Sequence, residues 1–165
     1  MNTPETTRTV PVVRRPGEGT SIWHLDTLKT FKAMTEDTGG RLVAWEELLP
    51  LNSSPPLHVH HGDDEAWFVL DGSLTFRIGD ATWTAEAGAF AWAPRGLPHT
   101  FRVDSPTARL LALAVPGGFD RFVVATGRPA ATATLPPPPE GPPDLAHLVA
   151  VARDHGVEIL GPPLS

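Results

Sequence analysis

The chain has 165 residues, enough for one domain with a sizeable core, and carries a formal charge of −6 from 13 basic and 19 acidic residues. It contains no Cys, which excludes disulfides, thiolate-bound zinc, iron–sulfur clusters and cysteine nucleophiles. There is no basic stripe to displace counterions from nucleic acid, the two Lys make an anionic membrane surface a poor partner, and no apolar run approaches the roughly 20 residues of a membrane span.

Residues 1–18 read as an N-terminal arm whose start, Met1 to Val10, is polar and Thr-rich, unlike a signal peptide, so a cytoplasmic location is expected. A short extended piece, Thr9 to Val13, is broken by Pro16 and Gly17. Ser21 to Ala33 can hold one or two short strands. From Arg41 the strand signals become regular: Arg41 to Leu49, ended by Pro50, then Leu57 to His60, then Glu65 to Leu70. Asp71-Gly72 reads as a two-residue hairpin turn into Leu74 to Ile78. Gly79-Asp80 turns the chain into Ala81 to Ala85, and Phe90 to Ala93 and His99 to Val103 follow. Arg109 to Val115 is almost continuously apolar, the pattern expected of a strand buried on both faces.

Short strands at 8- to 12-residue spacing predict an all-β antiparallel sandwich or barrel over residues 19–116. Residues 117–165 read as a small C-terminal helical extension. Gly118 to Gly127 suits a short helix with Phe119, Phe122 and Val123 on one face. Much of the chain's Pro, 19 residues in all, falls in the low-complexity connector Ala130 to Pro143. Asp144 then caps a helix with Leu145, Leu148, Val149 and Ala152 at i, i+3, i+4 and i+7, Gly156 ends it, and Val157 to Leu160 can add a last strand. This amphipathic helix is expected to pack on the barrel's outside or on a second subunit. The arm and the helix together point to a homodimer.

His58 and His60 fall at i and i+2 of one strand and so face one side. Glu65 opens the next strand after the Gly62-Asp63-Asp64 turn, and His99 can reach the same place from a strand across the barrel. A lone strand His is more often a satisfied polar group than a ligand. Three imidazoles and one carboxylate together are a ligand set for one divalent transition metal with a position left open for chemistry. Iron, manganese, nickel, cobalt, copper and zinc all suit such donors, whereas calcium and magnesium do not. His61, Asp63 and Asp64 read as a solvated turn, and His147 and His155 as surface residues. The facing of Trp23 and His24 is left open.

The segment HVHHGDDEAWFVLDG, His58 to Gly72, resembles the first motif of the cupin superfamily, G-x5-H-x-H-x3–4-E-x6-G. GAFAWAPRGLPH, Gly88 to His99, resembles the second, G-x5-P-x-G-x2-H-x3-N, after a short intermotif region of 15 residues. Asn52 stands in place of the first motif's leading Gly, and Val103 in place of the second's Asn. The resemblance implies a double-stranded β-helix, or jelly-roll barrel, and places His58, His60, Glu65 and His99 on the family's metal ligands. The wording PLHVHHGDDE with AGAFAWAPRGLPHTFR is similar to single-domain cupins grouped with quercetin 2,3-dioxygenases.

That likeness implies a dioxygenase acting on a small molecule such as a flavonol or related enol, with Glu65 in position to take the substrate's proton. Trp67, Val69, Phe90, Trp92 and Phe101 are the candidate pocket walls; core filling serves each of them equally well. A metal-dependent isomerase, lyase or decarboxylase, or a cupin that binds a metal or small molecule without turnover, remain the alternatives.

Overall fold

Period-two patterning and turn residues build twelve strands and two short helices among the described residues, which are 9, 11–139, 141 and 144–165 of the computed structural model. In chain order they are β1 (Thr20–His24), β2 (Thr27–Ala33), β3 (Val43–Pro50), β4 (Pro56–His60), β5 (Asp64–Asp71), β6 (Ser73–Ile78), β7 (Ala81–Glu86), β8 (Phe90–Ala93), β9 (His99–Val103) and β10 (Thr107–Val115). There follow α1 (Phe119–Thr126), β11 (Arg128–Pro129), α2 (Leu145–Asp154) and β12 (Val157–Pro163). No strand forms among the described residues of the arm; Val10, within the expected extended piece, lies outside them.

All pairings are antiparallel, and they form two sheets of strand order β11-β1-β2-β3-β10-β5-β8 and β12-β4-β9-β6-β7. Their inner faces enclose Phe31, Trp45, Leu49, Trp67, Val69, Leu74, Phe76, Val103 and Leu110, each essentially removed from water. The result is a mostly-β jelly roll of two antiparallel sheets, as expected from the sequence.

The sheet assignment changes two expectations. Asp71-Gly72 is not a hairpin turn, because β5 pairs with β8 and β10 while β6 pairs with β7 and β9. It is a corner where the chain crosses between sheets. Gly72 sits at φ +83°, and a Cβ there would lie 2.5 Å from the Thr107 carbonyl oxygen, so the corner needs glycine for both reasons. Gly79-Asp80, by contrast, does join a paired hairpin, with Ile78 opposite Ala81.

The second change concerns β10, which is buried on one face only. Ala108, Leu110, Ala112 and Ala114 point into the core, while Arg109 and Val115 are exposed and Leu111 and Leu113 half-covered. Its apolar outer residues lie between the outer faces of β3 and β5 and are not roofed by another layer.

The C-terminal segment is built into the barrel. β12 pairs along β4, with Val157 opposite His60 and Ile159 opposite His58. α2 is capped by the Asp144 side chain, which accepts the His147 N–H at 3.0 Å, and it turns Leu148 and Ala152 inward. Leu145 and Val149 stay exposed, so the buried stripe is narrower than the sequence predicts. α1 is tied down by its buried Asp120, which accepts hydrogen bonds from the Thr35 N–H (2.9 Å) and the Thr35 hydroxyl.

Candidate metal centre

β4 presents His58 and His60 on one face because residues two apart in a strand point the same way. β9 runs beside it, with His99 directly opposite His58, so the three imidazoles come from two neighbouring strands of one sheet. Glu65 arrives from β5 in the facing sheet. The sequence reading had these roles reversed, with His99 across the barrel. The cause is that the Gly62-Asp63 turn is an inter-sheet corner rather than a hairpin.

One nitrogen or oxygen from each of His58, His60, Glu65 and His99 lies within 4.8 Å of the others. His60, Glu65 and His99 are buried and His58 is nearly so. Each imidazole is oriented through its Nδ1. His58 Nδ1 lies 2.7 Å from the Pro56 carbonyl oxygen, His99 Nδ1 lies 3.0 Å from the Leu97 carbonyl oxygen, and His60 Nδ1 lies 2.8 Å from Asp63 Oδ2. Carbonyls and carboxylates only accept, so in all three rings Nδ1–H donates and the neutral ring turns an Nε2 lone pair inward.

That arrangement fits a cation. His60 Nε2 is buried and makes no hydrogen bond. Glu65 Oε2 lies 3.2 Å from His60 Nε2 and 3.3 Å from His99 Nε2, so acceptors face acceptors unless a positive charge lies among them. Without a metal a proton serves. Burial by itself would lower the His60 pKa, yet the Glu65 charge and the Asp63 hydrogen bond raise it to about 10. Burial would likewise raise Glu65, but the charge and hydrogen bonds of His60 and His99 hold it well below the usual carboxylate range. His58 goes the other way, lowered to about 3 by burial and then by its neighbours His99 and His60.

Asp63 is a residue the sequence reading misplaced. It is buried behind His60 rather than solvated, and it stands where an outer partner fixes a ligand's tautomer. Its spacing, three residues after His60 and two before Glu65, was the available signal. Asp64 is held by Arg95 through Nε at 2.9 Å and Nη2 at 3.1 Å, and the Gly96 N–H donates to the His60 carbonyl at 2.7 Å. The loop before β9 is thereby fastened to the corner after β4. His61 is exposed and pairs with Glu158 at 2.9 Å, and His147 and His155 are exposed as expected.

Through His58 and Glu65 the cluster opens on a cavity of about 90 Å³ with Trp67, Phe101 and Phe119 among its walls. Phe119 lies 5.3 Å from the His60 ring and stacks on Trp45 at 5.2 Å. Of the expected pocket walls, Trp67 and Phe101 line this cavity. Val69 is buried in the core but does not line it. Phe90 and Trp92 are on the outside, 65% and 55% exposed: Phe90 pairs with Phe68 and Trp92 with Ala66, the outward residues of β5. Leu148, Ala152, Val157 and Ile159 of the C-terminal segment also line it, so α2 closes its own barrel. His24 faces the cavity, whereas Trp23 faces away and donates from Nε1 to the Thr134 carbonyl at 2.7 Å.

With this geometry in hand, comparison with known proteins is specific. The Cupin domain family matches residues 44–116, which hold all four donors and both flanking motifs. That stretch of the chain is a cupin domain. It is 27% identical over 120 residues to quercetin 2,3-dioxygenase of Bacillus subtilis (strain 168), a match covering 73% of this chain and 36% of the relative. The cupin thus spans about a third of that relative's length. Among solved structures, KdgF from Halomonas sp. superposes with a TM-score of 0.58 at 15% identity over 69% of this chain and 99% of the other. A predicted oxalate decarboxylase from Thermotoga maritima gives a TM-score of 0.58 at 19% identity over 64% and 99%. At these identities the two structures speak for the fold alone. Asn52, at the position of the motif's leading glycine, takes φ 64°, a left-handed conformation that Asn tolerates better than most residues.

Two predictions follow from this geometry. Elemental analysis of purified protein is expected to find about one transition metal per chain, and His58→Ala or His99→Ala to remove most of it. Asp63→Ala is expected to keep the fold and weaken metal affinity about 10- to 100-fold; unchanged affinity would remove Asp63 from the site. The second concerns His24, whose pKa burial, and then Lys29, lowers from 6.5 to about 3. The unfolded side chain takes up a proton below pH 6.5 while the folded one stays neutral, so its contribution is complete above pH 6.5 and is lost as pH falls toward 3. Denaturant unfolding of metal-free protein at pH 7 and pH 4.5 is expected to show His24→Gln losing less stability on acidification than the parent, by up to about 1.4 kcal/mol per pH unit.

Proposed function

We propose that this cupin is a metal-dependent dioxygenase acting on a small enol of the flavonol type. The observation that carries the reading is a three-His, one-Glu cluster opening on a cavity with aromatic walls. The similarity to a quercetin 2,3-dioxygenase supports the same substrate class. His58, His60, Glu65 and His99 would hold the metal, which supplies a Lewis acid for the substrate's enol oxygen and mediates reaction with dioxygen.

The chain's own residues do the rest. Trp67, Phe101 and Phe119 offer flat apolar surfaces that orient a planar ring system and exclude water from its edge. Glu65 lines the cavity and would take the enol proton, a role open to a carboxylate within hydrogen-bond reach of that hydroxyl. Asp63 and the Pro56 and Leu97 carbonyls keep the imidazoles from turning as the charge at Glu65 changes.

We also infer a homodimer. Whereas α2 packs on its own barrel, the outer strip of Phe68, Phe90 and Trp92 is 41%, 65% and 55% exposed. Large aromatics clustered on one sheet face are costly to leave in water.

Metal-loaded protein is expected to shift a flavonol's absorption band under anaerobic conditions and to consume oxygen when air is admitted, with Glu65→Gln binding flavonol but turning it over at least about 100-fold more slowly. Intact flavonol after prolonged incubation with iron, manganese, cobalt, nickel and copper forms would sink the reading, and anaerobic turnover would redirect it to lyase or isomerase chemistry. For the dimer, light scattering should return twice the 17.7 kDa chain mass, and a Trp92→Glu variant the chain mass alone.

A further inference from the structure

The cavity that opens on His58 and Glu65 also has a second polar wall, which the metal reading leaves unused. Lys29 of β2 and Glu47 of β3 stand opposite each other in register and form a buried ion pair that lines the same cavity. Glu47 is fully engaged: Oε1 accepts from Lys29 Nζ, and Oε2 accepts from Trp45 Nε1 at 3.1 Å. Lys29 is not. Its ammonium has three N–H donors, and Glu47 is its one hydrogen-bond partner among the described residues, with the Trp45 ring 5.7 Å away as a cation–π neighbour.

Nothing in the packing calls for charge at this level of the barrel. The same cross-strand row continues through Leu110 and Val69, both apolar and both at 0% exposure. A buried ion pair costs more desolvation than a hydrocarbon pair in such a row, so its presence beside a cavity is a positive feature to be explained. His24 lines this end too, with Nε2 2.9 Å from the Thr126 hydroxyl oxygen. Burial, and then Lys29, keep it neutral, so it adds no charge.

Charge bookkeeping then narrows the ligand. A divalent ion would bring two positive charges, which the carboxylates of Glu65 and of Asp63, buried behind His60, offset, and Lys29 with Glu47 leaves none. A ligand with no surplus charge is therefore favoured, with a second oxygen to meet the spare N–H groups of Lys29. Trp67, Phe101 and Phe119 ask for a flat apolar body.

We propose that Lys29, held by Glu47 and Trp45, is the specificity-determining residue of the pocket: it donates to an oxygen on a flat, chelating substrate whose enol or phenol oxygen goes to the metal. The proposal rests on the metal-site reading above but not on flavonols being the natural substrate.

The test uses cobalt-loaded, full-length protein under anaerobic conditions and two matched ligand pairs, read by the ligand and cobalt absorption bands. One pair is unsubstituted flavonol and quercetin, the same ring system with added hydroxyls. The other is a hydroxynaphthoate and its counterpart with a hydroxyl on the far ring. In the parent protein the added hydroxyl is expected to tighten binding about 10- to 100-fold in at least one pair, the strength of a hydrogen bond to a charged donor. Lys29→Met alone strands the Glu47 carboxylate, so K29M/E47Q is the variant compared, with K29Q/E47Q in its place should the first not fold. Either is expected to keep its cobalt and its affinity for the unsubstituted ligand and to lose the preference. No preference in the parent for either pair, or a preference that survives the double substitution, overturns the proposal. A preference among naphthoates with no flavonol binding upholds Lys29 and overturns the flavonol reading; metal lost from the parent itself overturns both.

Discussion

Three imidazole lone pairs and a carboxylate turned toward one point repel one another, and a protein that buries them must hold them there by force from outside. Here the force is the set of Nδ1 hydrogen bonds to Pro56, Leu97 and Asp63, together with the strand pairing that puts His99 opposite His58. Metal-free, the cluster must take up a proton, which His60 holds with its pKa raised to about 10, first against its burial and through Glu65 and Asp63. A divalent ion bound there would replace that proton and turn acceptor–acceptor contacts into coordination. The cost of holding the four donors together would then be returned as affinity, which rigid strands serve better than loops would.

The same constraint explains the placement of the C-terminal segment. β4 carries two of the four donors but meets β9 in register only at His58 and His99. Its other edge would be open without β12, which pairs along it from Val157 to Pro163. α2 packs behind, adding Leu148 and Ala152 to the cavity wall. The ligand-bearing strand is therefore fixed by residues some 100 positions away in sequence, and the segment beyond the matched family region is part of the site's frame.

The strands and the four donors were legible because each leaves a local mark: alternation in a half-buried strand, and His-x-His on one face of it. What each strand pairs with leaves no such mark. Asp71-Gly72 reads as a hairpin because a positive φ serves an inter-sheet corner as well as a tight turn, and only the pairing of β5 with β8 and β10 tells them apart. Phe90 and Trp92 were expected in the pocket because an aromatic on an uncovered outer face has the same sequence signature as one in the core. Asp63 looked like turn residue chemistry until a partner, His60, was in place behind it. Lys29 was visible in principle, since it shares the inward face of Thr27 and Phe31, but one buried lysine carries no meaning until Glu47 stands opposite.

Phe119 gives these separate features a common mechanical link. Its ring lies 5.3 Å from His60 at the metal end and stacks at 5.2 Å on Trp45, whose indole N–H holds Glu47 at 3.1 Å, and Glu47 in turn holds Lys29. His60 and Lys29 are thus joined by an unbroken run of packed and hydrogen-bonded side chains. Phe119 opens α1, and the next residue, Asp120, anchors that helix through both the backbone and the hydroxyl of Thr35. A shift of α1 would disturb His60 and Lys29 together, because neither can move independently in a close-packed core. The helix expected to begin a C-terminal extension is therefore the element that ties the His/Glu cluster to the buried ion pair.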